Sequence, residues 1–291
     1  MRVQDVRRLN GEWRVQPPMT ALTDRDIMLR DAMEDLYSRL NRRQYVHPDP
    51  LEFLYAYDDV RDREIVGLVA SSLAYGRVAQ ILRSVSAILE RMPQPARFLA
   101  DATAASLTKA FHGLKHRFTT GEDVAGMLLG VKRAMEHYGS LEACFVRGFD
   151  DSHGDIIPAL SRFVGELCDS REACRTHLLP PPEAGSACKR LNLYLRWMVR
   201  HDEVDPGGWR GVPVSKLIVP LDTHMHAIAR AVGMTFRKQA DMRTAVEITN
   251  AFRRINAADP VKYDFALTRL GIRSDMDPRA FLERCSIHGV A

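Results

Sequence analysis

Two short stretches carry side chains that could do chemistry together. The first, Gly185-Ser186-Ala187-Cys188-Lys189, reads as a tight turn running into a helix, with Ser186 as its expected N-cap and Lys189 in the first turn. Backbone N–H groups at such a terminus, and the positive end of the helix dipole, attract phosphate. The same dipole end and burial both disfavour a lysine ammonium, and a neutral amine is a nucleophile. The second stretch runs from Ser215 to His224, where an apolar approach ends at Asp222, placed to cap the helix THMHAIARAVG. Capping and the dipole both favour the anion, and a fixed carboxylate can stabilise an oxocarbenium-like sugar cation while a glycosidic bond breaks.

Each residue taken singly also has an ordinary explanation. First-turn lysines are usually solvated, and an Asp before a helix is most often a cap and nothing else. Asp222, His224 and His226 raise the alternative of a metal-dependent hydrolase. Residues two apart on a helix face different ways, however, leaving Asp222 and His226 as the same-side pair, so no metal is expected.

The elements that must position these residues are helical. A stripe of Ile81, Val85, Ile88, Leu89 and Met92 is one apolar face, and Val124, Leu128, Val131, Met135 and Tyr138 form another. Ala245, Ile248, Phe252 and Ile255 make a third, while Asp259-Pro260 and Asp277-Pro278 have the form of an N-cap followed by Pro at the first helical position. Gly271 stands where the helix opened by Asp259 would close. No alternating run bounded by tight turns is evident, so the fold class is all-α. Pro180-Pro181-Pro182 forces a break before the helix SACKRLNLYLRWMVR, and His201 to Pro213 forms a long loop after it. Residues 1–24 lack periodicity and read as a flexible leader, within which Met19 offers an alternative start.

Composition sets the outer limits. At 291 residues with 46% hydrophobic and 27% charged, the chain can build its own core without a disulfide or metal staple. No apolar run approaches the ~20 residues of a membrane span, and the basic N-terminus has no apolar stretch behind it, so a cytoplasmic protein with no membrane partner is expected. Five cysteines without CxxC spacing suit reduced thiols and cannot supply four thiolates from one loop to an iron–sulfur cluster. No cofactor is implied. A net charge of +4 admits nucleic acid as a partner without demanding it.

The runs GSACKRLNLYLRWMVRHDEVDPGGW, LIVPLDTHMHAIARAVGMTFRK and DPVKYDFALTRLGI, within residues 185–272, resemble a bacterial family that is itself similar to archaeal 8-oxoguanine DNA glycosylases of the helix-hairpin-helix superfamily. That superfamily's hairpin motif, broadly Leu-Pro-Gly-Val-Gly-x-Lys, places a catalytic lysine after its second glycine, and a partner aspartate follows in a Val-Asp-x-His motif. These positions fall on Lys189 and Asp222. Ala187 replaces the second glycine, and the loop His201–Pro213 lengthens the lysine-to-aspartate separation, as in the archaeal branch.

The resemblance implies two helical layers around a cleft. Residues 60–200, including the hairpin over 179–200, would form a helical barrel, and residues 25–60 and 203–291 the second layer. A nucleoid-associated monomer is implied, with double-stranded DNA carrying a damaged base as its partner and an oxidised purine, 8-oxoguanine, as the target of glycosylase and lyase activity through a lysine Schiff base. The segment Ser71–Ile81 looks like the helix that carries a base-contacting glutamine, making Gln80 and Tyr75 the base-pocket candidates, since stacking and amide hydrogen bonds are what an extruded base needs. Gly185, Ser186 and Ala187 with Arg190, Arg237, Lys238 and Arg243 would contact phosphates. A non-catalytic helix-hairpin-helix DNA-binding module remains the main alternative.

Overall fold

A computed structural model of the protein describes residues 6–9, 12–15, 22–168, 177–272 and 277–285. Cys174 and most of the leader expected over 1–24 lie outside the described residues. Within that leader, β1 (Val6–Leu9) pairs antiparallel with β2 (Glu12–Val15), Val6 opposite Val15, where the sequence pattern suggests irregular chain. A second small hairpin pairs β3 (Lys115–His116) with β4 (Thr119–Thr120). Among the described residues every other helix or strand element is helical, and no described helix is long and apolar enough to cross a membrane.

Helix α1 (Asp24–Leu40) opens on a capping box in which Thr23 and Asp26 satisfy each other's backbone N–H, and it buries Leu29, Met33, Leu36 and Leu40. A 3-10 helix, Pro50–Ala56, starts behind the cap Asp49. Helix α2 (Val60–Ser72) has an unbroken buried run from Glu64 to Ser72, as a central helix must. Gly67 matters there: a Cβ at this point would stand 3.2 Å from the Tyr194 ring, so its absence lets a later helix pack closely.

The first apolar stripe becomes α3 (Val78–Leu89), with Met92 buried just beyond it. Short helices α4 (Pro95–Asp101) and α5 (Ala104–Phe111) lead to α6 (Gly121–Tyr138), which carries the second stripe and ends at the left-handed Gly139. Helices α7 (Leu141–Arg147) and α8 (Ile157–Leu167) pack on it. After Pro180–Pro182 comes α9 (Lys189–Val199), then α10 (Thr223–Ala231), α11 (Met242–Ile255), α12 (Asp264–Ile272) and α13 (Pro278–Cys285). The main helix–helix packings fall into two groups: α2 with α3, α4, α7 and α9 and α6 with α4, α5, α7 and α8, against α1 with α11, α12 and α13 and α10 with α12.

Two sequence signals work differently from expectation. Asp277-Pro278 does open α13, with Asp277 accepting from the Arg279 N–H at 2.8 Å. Asp259-Pro260 opens only a turn, because the Asp259 carboxylate is shared between the Val261 N–H at 3.2 Å and the Arg200 guanidinium at 2.9 Å; α12 proper begins at Asp264. Gly271 does not close that helix but lies within it. A Cβ there would meet His224 Nδ1 at 3.1 Å, so glycine brings α12 against the start of α10.

Two buried charge clusters hold the ends of α2 and α9. Glu64 on α2 caps α7 across the core, accepting from the N–H groups of Leu141 (3.1 Å) and Glu142 (2.8 Å) and from Trp209 Nε1 (2.7 Å). Burial, against these three donors and with the Glu142 charge added, pushes its carboxyl up to about 7. At the end of α9, Arg196 bridges Asp205 (3.1 Å) and Asp264, and the C-cap residue Arg200 bridges Asp202 (2.9 Å), Asp205 and Asp259 (2.9 Å). Burial opposes both guanidinium charges, but the surrounding carboxylates outweigh it and hold both above their usual range.

Candidate active site

Lys189 owes its position to three consecutive backbone events. Pro182–Ala184 forms a 3-10 turn that ends on Gly185 at φ +79°, a left-handed conformation that favours glycine. Ser186 then pairs as an isolated bridge with Asp241, and the Met242 N–H donates to Gly185 O at 3.4 Å, tying the turn to the start of α11. Cys188 follows at φ +46° and caps α9, its carbonyl accepting the Asn192 N–H at 2.9 Å. Ser186 is therefore not the N-cap: its bridge holds it outside the helix, and its Oγ accepts instead from the N–H of Cys188 at 3.3 Å. Burial pushes the Cys188 thiol up to about 11, so it stays protonated and donates toward Pro180 O.

Asp222 caps α10 as its sequence position implies, Oδ1 accepting from the Met225 N–H at 2.8 Å. Its other oxygen, Oδ2, stands 3.7 Å from Lys189 Nζ. The two side chains are 35% and 17% exposed, so the lysine is less buried than a strongly desolvated nucleophile would be. At this separation the charges attract without a direct hydrogen bond, and Nζ is free to turn toward a substrate.

Both residues line a cavity of about 530 Å³, a size suited to a small organic group. Its other walls are Pro48–Pro50, Ala74–Gly76 with Val78 and Ile81, Leu193, Leu221, Thr223, His224, Ala240 and Arg269. It is thus built where α9, the α10 start and the 3-10 helix converge. A larger depression of about 850 Å³ lies between α1 and α13, but Arg42 there is already paired with Glu203 at 2.7 Å and no lysine–carboxylate pair faces it.

The other sequence candidates divide. Tyr75 is in the cavity wall, but its hydroxyl is engaged with His116 O at 3.1 Å and with Thr119 Oγ1, leaving the ring as its contribution. That ring stacks on Phe118 (centroids 5.0 Å apart, planes at 26°), itself 60% exposed. Gln80 lies one helical position short of the wall: Val78 and Ile81 line the cavity and Gln80 does not. Arg190 is turned inward, donating to the carbonyls of Ser72 (2.5 Å) and His177. Arg237 is engaged by Thr244 (2.8 Å) and Asp241 (2.9 Å). Gly185, Ser186, Lys238 and Arg243 are exposed, whereas Ala187 is buried. His226 faces the Arg237 carbonyl at 3.0 Å, and among the described residues no three His, Cys, Asp or Glu side chains gather as a metal-ligand set.

His224, weighed in the sequence only as a metal ligand, also lines the cavity. Two residues there escape the sequence reading, Asp49 and Arg269, which pair with each other 220 positions apart in the chain. An Asp49-Pro50 start signal of the type read at 259 and 277 was available for the first. Nothing local marks Arg269, because its role depends on a partner far away in sequence.

A family model matches residues 49–273 with the description "Protein of unknown function (DUF2400)", and the chain belongs to that family. No curated protein and no solved structure matches the chain.

Proposed function

We propose that the protein is a DNA N-glycosylase with abasic-site lyase activity, removing an oxidised purine, 8-oxoguanine, from double-stranded DNA. The observation that carries this reading is the Lys189–Asp222 pair, 3.7 Å apart on the wall of a cavity of about 530 Å³, which is roomy enough for a nucleotide-sized group. In the mechanism, an extruded nucleotide enters the cavity and Asp222 Oδ2 stabilises the developing sugar cation. Lys189 Nζ, having lost a proton, attacks C1′ as the bond to the base breaks; the base leaves with the bonding pair and picks up the proton shed by the new C1′–N bond, and the C1′–O4′ bond then opens, O4′ taking a proton from water. The resulting Schiff base permits elimination of the 3′ phosphate and strand cleavage. The cap bond to Met225 keeps the carboxylate fixed during these steps. The Tyr75 ring, already stacked on Phe118 and covered by the Arg190 guanidinium, contributes an apolar wall, and the exposed turn at Gly185 and Ser186 offers a place for a phosphate.

The test is reductive trapping. Incubation with lesion-bearing or abasic duplex and borohydride is expected to give a covalent adduct that is lost in Lys189→Gln while DNA binding persists. An undiminished adduct in the variant removes Lys189 as nucleophile. DNA binding without any adduct in the wild type favours a non-catalytic DNA-binding module instead.

A further inference from the structure

A small polar chamber of about 70 Å³ adjoins the main cavity and shares Lys189 and Asp222 with it. Asp49, Arg196, Asp264, Thr268 and Arg269 supply its remaining polar lining, and the Asp49 carboxylate is already held by Arg269. Asp264 is 2% exposed; its Oδ2 takes the Arg196 guanidinium, while Oδ1 has no hydrogen-bond partner among the described residues. A buried carboxylate oxygen needs a donor, and the chamber has room for one or two water molecules to supply it.

We propose that Asp264 is the proton acceptor for Lys189, reached through water in this chamber, so that Asp222 is left ionised when the sugar cation forms. The inference rests on the glycosylase reading. The Lys189 ammonium must lose a proton before Nζ can attack, and bound DNA would shut out bulk water as a sink. Asp222 is ill suited to take it, since protonation would cancel the charge that stabilises the cation. In the step, an Nζ–H bond breaks, the proton passes through water, and an Oδ1–H bond forms. Ammonium and carboxylate become amine and acid, with no other reactant and no change in net charge.

The charged surroundings suit an acceptor of this kind. Arg196 and Lys189 face Asp264 from α9, Asp205 from the loop that follows, and Asp222 from the start of α10. Asp49 and Arg269 close the chamber's other side, and Glu34 on α1 is engaged by Lys262 and Tyr263 at the turn before α12. Burial raises the Asp264 carboxyl to about 6, against the pull of Arg196 and with the Asp222 and Asp205 charges adding to it. Asp264 is a positioning residue in this scheme, since it acts through water and not on the substrate.

The experiment is borohydride trapping on a pre-formed abasic duplex, under single-turnover conditions, between about pH 5 and 8. The wild-type rate is expected to rise through a midpoint near 6. Asp264→Asn should fall by about a hundredfold and lose that limb, a change of profile that loss of packing alone does not produce. Thr268→Leu, which fills the chamber and keeps every charge, should lose the same limb and decides the matter if Asp264→Asn fails to fold by circular dichroism. Trapping in the variants with the limb and rate of the wild type overturns the role of Asp264 alone. Absence of any wild-type adduct at every pH overturns the glycosylase reading and this inference with it.

Discussion

Asp222 divides its carboxylate between two partners: Oδ1 accepts from the Met225 N–H at 2.8 Å, and Oδ2 faces Lys189 Nζ at 3.7 Å. The cap fixes the rotamer, and the rotamer fixes where the second oxygen points. The same carboxylate thus both caps α10 and presents a charge to Lys189.

That division predicts a separation of stability from activity. Asn caps helices about as well as Asp, so Asp222→Asn should unfold within a few tenths of a kcal/mol of the wild type, roughly, in urea melts. Its trapping rate on lesion DNA should nevertheless fall by at least about a hundredfold, because the negative charge is gone. Asp222→Ala should lose both, with about 1 kcal/mol off the stability. Equal activity in the Asn variant and the wild type would remove the charge from the mechanism.

The substrate assignment is tested by a lesion panel. Under single-turnover conditions 8-oxoguanine is expected to be released faster than uracil, hypoxanthine or an alkylated purine from otherwise identical duplexes. Discrimination would rest on one or two hydrogen bonds to the altered N7–H and C8 carbonyl, each worth about 1–3 kcal/mol when a buried partner is left unmatched. Release of uracil with no release of 8-oxoguanine would reassign the substrate and leave the chemistry of Lys189 standing.

Binding should weaken as salt rises, since phosphate contacts release counterions. Lys238→Ala and Arg243→Ala, which remove exposed cations, should each flatten the slope of log affinity against log salt by roughly 1. Arg190→Ala should act on folding instead, because its guanidinium holds the Ser72 and His177 carbonyls inside the protein. A change in the salt slope from Arg190→Ala, with melting unaltered, would contradict that division.

Glu64 predicts the pH dependence of stability. Its folded carboxyl is raised to about 7 from an ordinary 4.5, so between those values the folded protein holds a proton that the unfolded chain has released. Stability from this group is therefore present at low pH and lost as pH rises through that window, by up to about 3 kcal/mol. Asp264, also raised, adds a contribution of the same sign. Urea melts at pH 5 and pH 8 should show the loss in the wild type and a smaller one in Glu64→Gln. An identical slope in the variant would mean that Glu64 does not titrate there.

Much of this site was legible in local sequence. The stripes of α3, α6 and α11, the Asp222 cap and the first-turn position of Lys189 all follow from spacing, because helix caps and amphipathic faces are short-range properties. What local reading missed depends on distance. Cys188 takes the left-handed conformation because the Ser186–Asp241 bridge fixes the turn before it. Gly271 lies inside its helix, and what asks for glycine there is the close approach of His224, far earlier in the chain. Asp49 and Arg269 come together only once α12 has packed beside the 3-10 helix. Gln80 misses the cavity wall because the helix phase gives that place to Val78 and Ile81.

The ionic cluster on α9 has a consequence for how the chain can change over generations. Arg196 and Arg200 share Asp205, and each reaches a further partner on or just before α12. Removing one member strands a buried charge at a cost of about 3–5 kcal/mol, whereas a concerted swap to apolar residues can be neutral. Single-step mutational routes out of the network are therefore closed, and descendants should inherit it whole or replace it in linked substitutions. A deep mutational scan should show this as strong sign epistasis among positions 196, 200, 205, 259 and 264, next to a surface where substitutions combine freely.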